Sequence, residues 1–200
     1  MKPFNDGCAA NDEFQSANGG LQRGELVRDL LSQRVQVPRI PSDALSRPRL
    51  DQKIADALSS RGVLFLEAPC GYGKSHSLVS ALDASDLPEE QVRWISLNAQ
   101  DNAPSRFLTL LSIALNLPET LEQGAQGGAS FSDLLSLMLM AMTRSGAPQP
   151  RVLVLDNLQN LTNPAVVDVL QQLVGNCPSG CSVALISRKA LPFETHSLEL

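Results

Sequence analysis

Val63-Leu64-Phe65-Leu66-Glu67 runs directly into Ala68-Pro69-Cys70-Gly71-Tyr72-Gly73-Lys74-Ser75, and the reading of the whole chain turns on this junction. The short apolar run reads as a buried strand. The octet behind it has the spacing G/A-x-x-x-x-G-K-S/T, with Ala68 where glycine is more usual, and a helix-compatible segment follows at about 74–83. Each part of such a loop has a physical task. Gly71 and Gly73 allow backbone angles that other residues avoid, so successive N–H groups can curl toward one anion. The helix starting near Lys74 aims its unpaired amides and positive end at the same point. Lys74 adds a full charge for β- and γ-phosphates, and Ser75 a hydroxyl ligand for Mg²⁺. Residues 68–75 are therefore expected to hold the phosphates of ATP or a close relative.

Working outward, Arg151-Val152-Leu153-Val154-Leu155-Asp156 is an apolar strand ending in an acid. Asp156 is the expected second holder of Mg²⁺, and Lys74 with Asp156 the candidate catalytic pair. The residue after it sets the chemistry. A second acid there could orient or deprotonate an attacking water, but Asn157 has no basic group at neutral pH. Slow hydrolysis, or none, is expected. The strand Ser182–Ser187 ends in Ser187-Arg188, which reads either as a sensor of the terminal phosphate or as a plain strand end. Arg47 and Arg49, around Pro48, read either as brackets for a base or as solvated linker residues.

Strands and helices alternate from about residue 49: a helix near 49–60, strands at 63–67, 92–98, 152–156 and 182–187, and helices near 104–116, 131–143 and 163–174. The start of a fifth strand is read at 196–200. This order implies an α/β domain with a parallel sheet of about five strands, flanked by helices. Residues 37–200 are assigned to that nucleotide-binding domain and 1–36 to an extension, of which 1–20 are expected to be disordered. Residues 21–35 place Leu26, Val27, Leu30 and Leu31 on a helical stripe, suited to packing on the domain or to docking a partner. Pro38, Pro41 and Pro48 mark an extended linker. Met138, Met140 and Met142 are expected in the core rather than at a binding surface.

Composition excludes several classes. Apolar residues make up 43% of the chain and charged ones 18%, and the net charge is −5. That balance fits a folded domain and gives no ground for direct DNA or RNA binding. No apolar run is long enough to span a bilayer, and the first residues lack the core of a secretory signal, so a cytoplasmic setting is expected. Cys177 and Cys181 have three residues between them and no nearby histidine, which points to thiols rather than zinc. Cys70 reads as a small loop residue rather than a nucleophile.

With these pieces in place, residues 37–200 resemble the ATP-binding domain of MalT-like, LuxR-type large transcriptional regulators, members of the STAND class of signal-transduction ATPases. The resemblance rests on Val37-Pro38 with Leu45-Ser46-Arg47-Pro48, the loop Pro69-Cys70-Gly71-Tyr72-Gly73-Lys74, and Trp94-Ile95-Ser96-Leu97. Asp101-Asn102 with Arg106-Phe107, Leu161-Thr162-Asn163-Pro164 after Asp156, and Ile186-Ser187-Arg188 extend it. The family's pattern often ends the Trp-Ile-Ser-Leu strand in an acid, where this chain has Asn98, and has a second acid where Asn157 stands. The resemblance implies an ATP-bound, self-associating active form and an ADP-bound resting form, with an inducer shifting the balance. It also implies winged-helix, sensor and helix-turn-helix regions downstream, which residues up to Leu200 do not include. The first function expected is thus an ATP·Mg-binding switch domain able to assemble with itself or with full-length relatives. A free-standing P-loop ATPase or kinase, and an interaction protein without turnover, are the alternatives.

Overall fold

The computed structural model describes residues 29–41, 45, 47–60, 62–85, 87–117, 124, 127–144, 151–176 and 180–191. Along these run α1 (Pro48–Ser59), β1 (Val63–Glu67), α2 (Lys74–Asp83), β2 (Val92–Ser96), α3 (Pro104–Ala114), α4 (Phe131–Arg144), β3 (Val152–Asp156), α5 (Pro164–Gly175) and β4 (Ser182–Ser187). Single 3-10 turns occupy Glu89–Gln91, Ala99–Asn102 and Leu158–Asn160. The four strands among the described residues form one parallel sheet in the order β1-β4-β3-β2. The predicted fifth strand at 196–200 and the predicted disorder of 1–20 lie outside the described residues.

The strands sort their side chains with the two-residue period of extended chain. Leu64, Trp94, Val154, Ala184 and Ile186 pack with Ile54 and Leu58 of α1 and Leu78 and Leu82 of α2. Ile95, Leu153, Leu155, Val183 and Leu185 face the other way, onto Phe107 and Leu111 of α3, Leu135 of α4 and Leu170 of α5. Helices therefore cover both faces, which is why β3 and β4 are apolar almost throughout. Proline opens α1, α3 and α5 at its favoured first helical position, and the Asn163 side chain caps α5 by accepting from Ala165 N–H.

Three expectations come out differently in detail. The β2 strand stops at Ser96 rather than 98, because Asn98 turns the chain. Its side chain accepts from Gln100 N–H while Asp101 accepts from Asn98 N–H, a reciprocal cap on the following turn. Of the methionines, Met138 is fully buried but Met140 is 53% exposed, since residues two apart on a helix point in nearly opposite directions. Leu31 is buried in the core while its neighbour Leu30 is 54% exposed, so the helical stripe divides; Leu26 and Val27 lie outside the described residues.

Residues before the predicted boundary near 37 are joined to the sheet. Arg34 C=O accepts from Ser96 N–H at 3.3 Å and its guanidinium donates to Ser96 C=O at 2.6 Å, covering the outer edge of β2. The same guanidinium grips both oxygens of Asp101, at 2.9 and 2.5 Å, and Arg106 Nε donates to Asp101 at 3.0 Å. Burial pushes the Asp101 carboxyl up, but the hydrogen bonds from Arg34, Asn98 and Arg106 outweigh it and hold the group below its usual 3.8.

A carboxyl depressed in the folded state contributes stability that is whole above its unfolded-chain value and drains away as pH falls through the folded one. Asp101→Asn is therefore expected to cost about 2–3 kcal/mol at neutral pH, less than a fully enclosed pair because both arginines reach solvent. Urea titrations from pH 7 down to below 3.8 should show the variant losing less of its remaining stability on the acid side than the parent chain.

Candidate functional site

The carboxyl ends of β1, β3 and β4 lie side by side, because β4 pairs with both neighbours: Glu67 stands opposite Ser187, and Leu155 opposite Leu185. The segments leaving those strand ends enclose a cavity of about 280 Å³. Cys70, Gly71, Gly73, Lys74, Ser75, Asp156, Ser187 and Arg188 line it, together with His76, Asn157, Gln159 and Ile186. A larger cleft of about 440 Å³ lies beside Arg151 and Ser182, at the amino ends of β3 and β4 and away from these loops.

Gly71 and Gly73 have φ of +83° and +80°, in the left-handed region that side chains disfavour. These bends carry the chain from β1 around into α2, whose first residue is Lys74. No acidic side chain stands in the first turn of α2, and no side chain caps it, so its leading amides are left for an outside acceptor. Lys74 Nζ folds back on the loop, donating to Ala68 C=O at 2.5 Å and Pro69 C=O at 2.9 Å.

Ser75 Oγ donates to Asp156 Oδ2 at 2.9 Å, joining residues 81 apart in sequence. Asp156 is only 8% exposed, its other oxygen accepts from Asn157 N–H at 2.7 Å, and it makes no ion pair among the described residues. A buried carboxylate with a hydroxyl beside it and no cation is a costly arrangement unless a positive group is supplied from outside. Two hard oxygen donors at one point suit Mg²⁺, and Ser75 and Asp156 are the residues that would hold it.

The remaining predicted residues divide. Tyr72 is 62% exposed and is not among the residues lining the cavity, while its C=O accepts from Arg47 Nη1 at 3.0 Å. Arg47 thus braces the outside of the loop, its guanidinium about 3.9 Å from where a Cβ on Gly73 would stand. Ala68 and Pro69 serve through their carbonyls. Ser187 is buried at the cavity wall and Arg188 lies at its rim.

Gln159 and His76 were not among the candidates. Gln159 spans the cavity wall: its Oε1 accepts from Arg188 N–H and its Nε2 donates to Asn157 Oδ1, both at 3.2 Å. Its place in the turn directly after Asp156-Asn157 was the available signal. His76 Nε2 lies 3.0 Å from Leu45 C=O and ties the linker to α2. Asn157 itself adopts a left-handed backbone, φ 64° and ψ 40°, which asparagine tolerates better than most residues.

Residues 55–191 match a family model described as an AAA domain. The HTH-type transcriptional regulator MalT of Serratia proteamaculans is 29% identical over 180 residues, and that of Yersinia enterocolitica 27% over 180; each alignment covers 86% of this chain and 19% of the relative. The chain thus spans about a fifth of the length of these relatives. A crystal structure of a signal transduction ATPase with numerous domains (STAND) protein, with a tetratricopeptide repeat sensor, from Pyrococcus horikoshii superposes with a TM-score of 0.52. It is 20% identical and covers 78% of this chain and 22% of its own, a likeness of fold.

The bend at the cavity mouth gives a direct test of loop shape. Gly73→Ala would meet only the Arg47 guanidinium at an ordinary 3.9 Å, so its cost is conformational, about 1–2 kcal/mol for a left-handed alanine. A matching fall in unfolding free energy in urea is expected; a stability equal to the parent's would mean the bend has another shape.

Proposed function

This chain belongs to the AAA domain family, and from that membership we propose that its phosphate loop binds ATP with Mg²⁺, as the switch domain of a LuxR/MalT-type regulator. The observation that carries the reading is the meeting of Lys74, Ser75 and Asp156 at the mouth of a helix whose leading amides lack acceptors. Residues 70–75 wrap the phosphates, and Lys74 leaves its two loop carbonyls to reach the β- and γ-groups. Ser75 and Asp156 would hold Mg²⁺, which would supply positive charge to neutralise the phosphates. Ser187 and Arg188, which line the same cavity, are the residues that would register the terminal phosphate. The outer brace by Arg47 keeps the loop in register.

Hydrolysis is slow in this reading. Asn157 occupies the place of a proton acceptor beside Asp156, and Gln159 engages its side-chain oxygen. Neither amide can take a proton from water at neutral pH. The domain therefore dwells with nucleotide bound, and its effect is exerted by assembly: ATP favours association with further copies or with full-length relatives, ADP the resting form. That assembly takes place in the cytoplasm, without direct DNA contact by this chain. No helix among the described residues is long and apolar enough to cross a membrane.

Calorimetric titration with ATP, ADP and their Mg²⁺ complexes, together with single-turnover hydrolysis, tests the reading. Tight binding with turnover slower than about one per minute is expected, a barrier roughly 3 kcal/mol above that of an enzyme turning over a few times per second. Lys74→Ala should abolish binding and Ser75→Ala should remove its Mg²⁺-dependent part; full affinity in Lys74→Ala would overturn the loop assignment.

Asn157→Asp restores a carboxylate beside Asp156 and is expected to raise turnover at least tenfold while leaving ATP affinity within a few-fold, because general-base assistance contributes about 10²–10⁴ when well placed. Unchanged turnover would show that the missing base is not what limits hydrolysis.

A further inference from the structure

We propose that residues 29–37 form a strap in which Arg34 is a positioning residue for the phosphate cavity, acting through Asp101 and Asn102 on the segment Asn157–Asn163. The effect on nucleotide rests on the function proposed above; the mechanical link does not.

The link can be followed atom by atom. Arg34 lies along the outer edge of β2 and donates two guanidinium hydrogen bonds to the two oxygens of Asp101. A planar fork on a carboxylate fixes the plane of that carboxylate, which otherwise turns easily about its last side-chain bond. The held oxygens then accept from Asn98 N–H at 2.7 Å and from Arg106, which locks the turn Ala99–Asn102. The next residue, Asn102, reaches across to the loop behind β3. Its Oδ1 accepts from Thr162 N–H at 2.8 Å and Asn163 N–H at 2.7 Å, and its Nδ2 donates to Thr162 Oγ1 at 2.9 Å. From the other side, Asn160 Nδ2 donates to Leu97 C=O at 3.1 Å.

The loop so clamped is the one that supplies Asn157 and Gln159 to the cavity, and Gln159 in turn holds the Arg188 backbone. Three consecutive linkages thus run from the strap to the wall of the phosphate site, each made by a side chain with two or more bonds. Edge cover alone would need only the backbone bond between Arg34 and Ser96. Leu31 in the core and Arg34, whose partner carboxylate is fully enclosed, anchor the strap, and Val35 and Val37 pack against the two apolar layers. With Arg34 withdrawn, Asp101 keeps one donor on each oxygen, Arg106 on Oδ1 and Asn98 N–H on Oδ2, so the turn survives but its carboxylate, stripped of the two bonds from the strap, is held less firmly. Coupling of this kind is reciprocal: a strap that orders the wall is itself steadied by whatever binds there.

Hydrogen–deuterium exchange on the whole chain without nucleotide tests the link. Arg34→Ala should exchange faster at the amides of 97–103 and also of 158–163, while β1 and β4 keep the parent's rates. Arg34→Lys, which keeps the charge but not the planar fork, should restore part of that protection. Asn102→Ala, which cuts the far link and leaves the strap docked, should loosen 158–163 with the strap unchanged, and it decides the matter if Arg34→Ala fails to fold. In titrations, Arg34→Ala should bind Mg·ATP about five-fold more weakly than the parent, and Mg·ATP should slow strap exchange in the parent chain. Faster exchange confined to the strap and 97–103, or spread evenly over the domain, would overturn the proposal. A parent chain that binds no nucleotide would defeat the functional reading instead, with the exchange pattern still deciding the strap.

Discussion

Ser75 and Asp156 meet across the carboxyl end of β4, the last of the described strands, which inserts between β1 and β3. The insertion puts the carboxyl ends of three parallel strands in a row, and everything chemical in the molecule hangs from that row. A parallel sheet forces each connection to travel the length of a helix before the chain returns, so strand ends on one side of the sheet carry the loops. The helices on both faces keep the row rigid through two apolar layers, one under α1 and α2, the other under α3 to α5. Were β4 displaced to an edge, the Ser187-Arg188 end would leave the cavity and Asp156 would lose its opposite wall.

Two acids show what the fold does with buried charge. Asp101 is fully enclosed and answered by two arginines and a backbone amide. Asp156 is nearly as enclosed and answered by a hydroxyl and one amide, with no cation among the described residues. The effective penalty for an unpaired buried ion is several kcal/mol, a large share of a domain's net stability. Asp101 needs nothing further, which suits a group that holds a turn in place. Asp156 lines the cavity beside Ser75, where their oxygens would suit a bound cation.

What the residue order made legible was local and periodic. The strand at 63–67 and the helix at 74–83 fell where apolar runs and the glycine pair put them, because a buried parallel strand and a phosphate loop each leave a compact signature. Asp156 was legible for the same reason. Side-chain partnerships across long separations were not. Nothing in the spacing says that Arg47 would brace Tyr72 from outside, that Gln159 would bridge Asn157 and Arg188, or that Arg34 would reach an acid 67 residues on. Polar side chains carry no period, and their partners are chosen by where the sheet order places them. The split between Leu30 and Leu31 is a smaller case: a helical stripe marks an apolar face, while its docking angle decides which member goes inside.

The identity of residue 157 links backbone shape to chemistry. Its left-handed backbone narrows the choice to glycine, asparagine or aspartate, the residues that enter that region at least cost. Aspartate would meet the demand and add a base; asparagine meets it and adds only a neutral amide, whose oxygen Gln159 already occupies. Under the proposed function, that choice leaves the position beside Asp156 without a proton acceptor. In the function we propose, such a site would discriminate nucleotides by contacts with the last phosphate without removing that phosphate quickly. Differential affinity is what shifts a two-state equilibrium, and a bound ligand that persists holds the shift longer than one that is consumed.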